Sequence, residues 1–140
     1  MKTTGRITSL LLALVLLFSF VACADVEKTG VWENATYVKD TELGKGAKTL
    51  LVEVKAEEQS ITFTIHTDKD TVGAALLEHE LIAGEQSAYG LYVKTVNGIL
   101  ADYDDGGWWW SLTKNGEMLM TGVDGTTFAD GEHYELTRTK

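Results

Sequence analysis

Hydrophobic and polar residues alternate with a period of two along two neighbouring stretches of this chain. In KTLLVEVK (48–55), Leu50, Val52 and Val54 fall on one face, and in SITFTIH (60–66), Ile61, Phe63 and Ile65 do the same. Successive strand side chains point to opposite faces, so the pattern predicts two half-buried β-strands. The residues AEEQ (56–59) join them as a hairpin. The period then changes. TVGAALLEHELI (71–82) sets Val72, Ala75, Leu76 and His79 at the i, i+3, i+4, i+7 spacing of one helical face. Asp70 or Thr71 can cap its start with a side-chain oxygen, and Gly84 ends it.

Beyond the helix the chain reads as strands and turns. YGLYVKTV (89–96) puts Tyr89, Leu91 and Val93 on one side, and ILADY (99–103), WWWSLT (108–113), EMLMT (117–121) and EHYELTR (132–138) follow. Asn97-Gly98, Asn115-Gly116, Asp124-Gly125 and Asp130-Gly131 separate them, with DDGG at 104–107. Such pairs supply the positive φ angles that tight turns need. Upstream, VWENATYVK (31–39) is a candidate first strand whose apolar residues do not alternate cleanly, and DTELGKGA (40–47) reads as a loop from its glycines and charges. The order predicts an α+β domain with one helix packed on a mostly antiparallel sheet.

One stretch has neither period. ITSLLLALVLLFSFVA (7–22) holds no charge, follows Lys2 and Arg6, and ends in small residues. That is the form of an export signal. Cys23, the single cysteine, stands at its exit, and FVAC (20–23) resembles a bacterial lipobox with Phe20 where leucine is usual. The likeness implies that Cys23 carries lipid and becomes the first residue of the mature chain. Ala22 and Ala24 also frame a plain signal-peptidase site, which would give a secreted form. A retained helix is disfavoured, because a span needs roughly 20 apolar residues. The expected layout is a signal helix at 1–22, then anchor, tether and candidate first strand at 23–47, and the domain at 48–140. The expected location is the outer face of a bacterial cell membrane, held by lipid.

Lys2 and Arg6 take two of the chain's 12 basic residues, and the signal has no acids. Residues 23–140 therefore carry 10 bases against 21 acids, a net charge of −11. So acidic a surface argues against nucleic acid and against anionic lipid bound by charge. One cysteine allows no internal disulfide.

The tryptophan triplet is the clearest candidate for chemistry. Trp110 shares a strand face with Leu112 and belongs to the core by parity, as does Trp108, although Gly106-Gly107 could let Trp108 swing outward. Trp109 shares the other face with Ser111 and Thr113, which read as outward. An outward indole suits a flat ligand or sugar face, having large apolar area and an N–H donor; its plain alternative is packing on a half-exposed sheet. Trp109, Trp108 and the nearby Tyr103 are the candidate ligand contacts. Asp102, Asp104 and Asp105 lack the closing bidentate acid of a calcium loop, Thr113 standing there instead, and read as a solvated turn. His66, His79 and His133 are scattered, so no metal site is expected. No nucleophile elbow, zinc-helix motif or phosphate loop appears, and no enzyme activity and no cofactor are expected. A monomer is expected.

WSLTKNGEMLMTGVDGTTFADGEHYEL (110–136) resembles the C-terminal signature of the DUF4430 family: a tryptophan, an Asn-Gly-Glu hairpin, Gly-Val-Asp, and a terminal Asp-Gly before the last strand. TDKDTVGAALLEHELI (67–82) and VKTVNGILADY (93–103) match as well. On this likeness Trp110, Asn115, Gly116, Asp130 and Gly131 fall on the family pattern. The family is similar to the C-terminal β domain of transcobalamin and intrinsic factor. The resemblance implies a β-grasp-like fold and extracellular capture of a small molecule, cobalamin or another corrinoid being the best-known ligand, for uptake with a transporter component. The other class of function is a structural or adhesive surface module that binds protein or glycan.

Overall fold

The computed structural model describes residues 25–140; the expected signal segment and the expected lipid site Cys23 lie outside the described residues. Nine strands and one α-helix follow in the order β1 (Thr41–Gly44), β2 (Lys48–Ala56), β3 (Gln59–Thr67), α1 (Val72–Glu78), β4 (Ile82–Ser87), β5 (Gly90–Val96), β6 (Ile99–Leu100), β7 (Trp109–Lys114), β8 (Glu117–Met118) and β9 (His133–Thr139). They form a six-stranded sheet in the order β1-β3-β2-β9-β7-β8 and a three-stranded sheet in the order β4-β5-β6. This is the α+β class. The smaller sheet is antiparallel, and the larger is mixed, because β1 runs parallel to β3 and β9 runs parallel to β2.

The alternation in β2 and β3 does what the pattern predicts. Leu50 pairs with Ile65, Val52 with Phe63 and Val54 with Ile61. All six are buried, and α1 adds Val72, Ala75 and Leu76 to the same core. Tyr134 and Leu136 of β9 and Trp110 and Leu112 of β7 complete it. Burial pushes the Tyr134 phenol above its usual range.

Residues 31–39 form no strand. Gly30–Asn34 make a 3₁₀ turn that drives Trp32 fully into the core, where its Nε1 donates to the Ala56 carbonyl at 2.8 Å. The buried Asn97 side chain then clamps the segment that follows. Its Oδ1 accepts from the Tyr37 N–H at 2.9 Å and its Nδ2 donates to the Tyr37 carbonyl at 2.9 Å. The stretch 40–47, expected as a loop, contains the edge strand β1. Its half-buried Thr41 and Leu43 alternate with exposed Glu42 and Gly44, and pairing from Thr41↔Phe63 to Gly44↔His66 supplies the order. A four-residue strand with one large apolar side chain has almost no periodic signal.

The helix starts where expected: Thr71 Oγ1 accepts from the Ala74 N–H at 3.1 Å. It stops earlier than Gly84. Leu81 N–H donates to the Leu76 carbonyl and Glu80 N–H to the Leu77 carbonyl, with Glu80 at φ 55°, which is the Schellman arrangement. Glycine or asparagine usually fills that left-handed position, so glutamate conceals the stop. His79 consequently sits at the C-cap rather than on the helical stripe. Ile82–Ser87 are released to form β4, and Gly84 lies in it, at a register shift. The pairs Ala83↔Thr95 and Gly84↔Val93 skip Lys94, a β-bulge. The bulge lets Leu91 and Val93 pack on the core at one end of β5 while Val96 is buried at the other. Tyr89, expected on the Leu91 face, lies in the turn before β5 and is almost wholly exposed.

Candidate functional site at one end of the large sheet

The β2–β3 hairpin turns through Glu57 and Glu58, both at positive φ, and its tip helps to form a cleft. Lys55, Gln59, Ser60, Thr137 and Arg138 help to line the cleft, whose volume is about 330 Å³. The segment ahead of the 3₁₀ turn braces the tip. Glu27 N–H donates to Gln59 Oε1 at 2.8 Å, Gln59 Nε2 donates to the Glu27 carbonyl at 3.2 Å, and the Glu57 carboxylate accepts from the Val31 N–H at 3.2 Å. Gly30 takes the left-handed conformation there, at φ 58°, and a Cβ on it would push the Glu57 carboxylate aside.

The aromatic cluster adjoins this cleft through β9. Arg138 is half-buried, donates from Nε to the Leu100 carbonyl at 2.9 Å, and lies 4.1 Å from the centre of the Trp108 ring. Lys140 lies 5.3 Å from the same ring. Cation–π contact of this kind favours a fixed, desolvated arginine. Trp108 is itself half-buried against the core, and Gly106 passes so close that a Cβ would stand 3.2 Å from its ring. Tyr103 is largely exposed in the turn before it, where Gly107 N–H donates to the Tyr103 carbonyl at 3.0 Å.

Trp109 projects from the opposite sheet face, paired with Thr139, and is half-buried rather than open. Its neighbour Ser111, expected outward and accessible, is buried. Pairing with Thr137 brings the Ser111 Oγ to the Thr137 carbonyl at 3.3 Å and to Thr139 Oγ1 at 3.2 Å, so the hydroxyl is consumed inside the sheet. Thr113 likewise donates to Glu135 Oε2 at 2.7 Å. Trp110 is buried as parity requires, and its Nε1 donates to the Lys94 carbonyl at 3.1 Å. Tyr103, Trp108 and Trp109 therefore gather at one end of the sheet, on different faces. Lys55, Gln59, Arg138 and Lys140 join them there. Reading the sequence missed these four, and only the isolation of Arg138 as the one arginine beyond Arg6 hinted at a special place.

The hydrogen bond that Lys94 Nζ donates to the Glu85 carboxylate holds the ammonium above its usual range against a smaller desolvation, with Asp102 and Asp104 adding charge. His66 bonds Glu42 at 2.6 Å and Thr49 at 3.2 Å, whereas His79 lies against Gly44 with a buried, unpartnered Nε2. Among the described residues, no group of three or more His, Cys, Asp or Glu is placed to hold a metal ion. A second crevice of about 150 Å³ lies between the two sheets, lined by Leu91, Val93, Trp110, Leu112 and Val123 among others, and is smaller than usual small-molecule sites of about 300–1,000 Å³.

The residues of the sequence signature also act as pins. Asn115 and Gly116 turn β7 into β8 with φ angles of 51° and 81°. Asp124 accepts from the Leu91 N–H at 2.9 Å and abuts Gly73, where a Cβ would lie 2.6 Å from its oxygen. Asp124-Gly125 thus forms a 3₁₀ turn locking the small sheet to α1, not the expected hairpin. Asp130 accepts from the Thr49 N–H at 2.6 Å and Gly131 N–H donates to the Thr49 carbonyl at 2.7 Å, fixing β2 beside β9.

Residues 69–137 match the family model described as a domain of unknown function, DUF4430. A protein of Ruminococcus gnavus ATCC 29149, described as a candidate metal binding protein, is 35% identical, with a TM-score of 0.64 over 67% of this chain and 98% of that one. Haptocorrin, solved in complex with Cbi, superposes with a TM-score of 0.57 at 17% identity over 70% of this chain. The match spans 26% of haptocorrin and shows a shared fold. No curated protein matches the sequence.

Proposed function

The chain belongs to the DUF4430 family, and from that premise we propose that it is an exported, lipid-anchored domain that captures a small molecule at the aromatic end of its large sheet. The fold is β-grasp-like in this reading: a β2–β3 hairpin, one helix, and β9 inserted parallel to β2 and antiparallel to β7. The observation that carries the proposal is the junction of a cleft of about 330 Å³ with Trp108 through Arg138. That volume falls within the range of small-molecule sites, about 300–1,000 Å³. Trp108 would supply the aromatic contact beside the cleft, with Tyr103 in the turn before it, while Trp109 faces the other side of the sheet. A corrinoid is the first ligand to test, since haptocorrin shares the fold and was solved with Cbi. The role would be uptake, with the ligand passed to a transporter component.

Thermal-shift titration of the full chain with cobalamins and other cofactors tests this directly, because a ligand that binds only the folded state raises its stability by mass action. Trp108→Ala should weaken a bound ligand by about 2 kcal/mol, roughly thirtyfold, as aromatic anchors do. Its own stability cost should stay near 1–2 kcal/mol for a half-buried side chain. Unchanged affinity in both Trp109→Ala and Trp108→Ala would move the ligand away from this end.

The anchor has its own test. Cys23→Ser should release the protein from membrane fractions, since one acyl chain holds only marginally and two anchor stably. If the variant sediments with membranes as fully as the parent and is processed to the same mass, the lipid assignment fails.

One observation favours a second reading. Trp109 does not line the cleft but stands on a polar sheet face with Thr113, Thr137 and Thr139, and such a face suits a glycan or protein partner. Retention of the full chain on immobilised glycan without any small-molecule stabilisation would select it.

A further inference from the structure

Residues 23–140 carry 10 bases against 21 acids, and Arg138 is the one arginine among the described residues. An arginine in so acidic a domain should find a carboxylate. Lys48, Lys55, His66, Lys94 and Lys114 each pair with an acid within reach, and Arg138 does not. Its hydrogen bond is to the Leu100 carbonyl through Nε, and its Cζ lies 4.1 Å from the centre of the Trp108 ring. Those two contacts hold the guanidinium and, among the described residues, leave its two terminal amino groups without protein partners beside the cleft that Arg138 lines. Lys55 lines the same cleft, and Lys140 shares the Trp108 ring. The two acids of the hairpin tip weigh against this charge. One of them, Glu57, is already engaged by the Val31 N–H, and Glu58 is exposed at the turn. Lys55 is paired with Glu53 at 3.3 Å on the outer face.

We propose that Arg138 is an oxyanion-binding fork, so that the ligand taken at this end carries a carboxylate or phosphate group. The inference rests on the capture reading for the place of the ligand. A planar guanidinium binds two oxygens of one oxyanion in parallel, which an ammonium cannot do. An arginine already held against a ring and bonded through Nε gives up little further freedom on binding. Lys140 adds attraction without the fork geometry, whereas the charge of Lys55 is met by Glu53.

The test uses the full chain labelled with ¹⁵N. It has only two arginines, Arg6 and Arg138, and so two Nε–Hε signals. Inorganic phosphate, and separately acetate, is titrated against chloride at constant ionic strength. The Arg138 signal and the Trp108 indole signal should shift together and saturate, while Arg6 stays still. Losing a charge-assisted pair should weaken binding about tenfold or more in Arg138→Gln. Arg138→Lys keeps the charge but not the fork and should fall between. Saturation by phosphate alone would assign the site to phosphate esters, and saturation by both to oxyanions in general. A linear, non-saturating response to both anions overturns the proposal, as does saturation with equal affinity in Arg138→Gln. The Trp110 indole signal, held by the Lys94 carbonyl, reports that each variant is folded. A corrinoid that binds the parent and Arg138→Gln equally would sink the fork and leave capture standing. Phosphate saturation without binding of any larger molecule would do the reverse.

Discussion

Trp110→Ala should destabilise the domain by about 3–5 kcal/mol, the usual cost of truncating a buried tryptophan. Trp110 is 7% exposed, sits in β7 beside Leu112 and lines the seam between the two sheets. Its Nε1 donates to the Lys94 carbonyl, which also accepts from the Ala101 N–H, so the indole ties β7 to the bulge of the small sheet. Because the carbonyl keeps that second partner, most of the loss should come from the cavity rather than from an orphaned acceptor. Trp110→Phe should therefore recover more than half of the stability. Against a total of about 5–15 kcal/mol for a domain of this size, the alanine variant stands near the limit of folding. Denaturant melts read by circular dichroism measure both variants. A loss under about 1 kcal/mol for the alanine would mean that the seam between the sheets does not hold the fold together.

Trp32→Ala should cost as much, about 3–5 kcal/mol, and should also disturb the cleft. Trp32 is fully buried although its segment has no regular structure beyond one 3₁₀ turn. Removing it leaves the buried Ala56 without the indole donor to its carbonyl, a deficit that adds about 1–3 kcal/mol where water cannot enter. Ala56 opens the hairpin turn that walls the cleft, and Glu57 beside it is bonded to Val31. The variant should thus lose protection of the 57–59 amides from hydrogen exchange before the rest of the sheet opens. Uniform loss of protection throughout the sheet would show that the segment 25–38 has no special tie to the hairpin.

Local pattern was enough for much of the fold. β2 and β3 announce themselves because each buries one face and wets the other, and Asn97-Gly98 and Asn115-Gly116 supply the positive φ angles seen at both turns. The elements that escaped lack such contrast. β1 has one large apolar side chain, and β4 buries Ile82 alone, so neither shows a period. The end of α1 depends on Glu80 holding a left-handed conformation, a choice residue type does not betray. The candidate site was legible only in its tryptophans. Trp110 could be assigned to the core by parity alone, but the burial of Ser111 follows from its register with Thr137 and Thr139, which no local window contains. Arg138 meets Trp108 across 30 positions and shares its cleft with Lys55 across 83, distances that only the strand order closes.

That strand order also governs when the molecule can form. β9 comes last of the nine strands along the described chain, yet it lies between β2 and β7 at the middle of the large sheet. Until it emerges, the β2–β3 pair and the β7–β8 pair have nothing between them, and the Asp130 and Gly131 bonds to Thr49 cannot be made. Sheets closed by such distant segments fold slowly, since the entropy of closing the loop is lost before any contact repays it. The large sheet therefore cannot nucleate at β2–β3 and grow strand by strand along the chain; it closes in one late step, when β9 enters between its two halves.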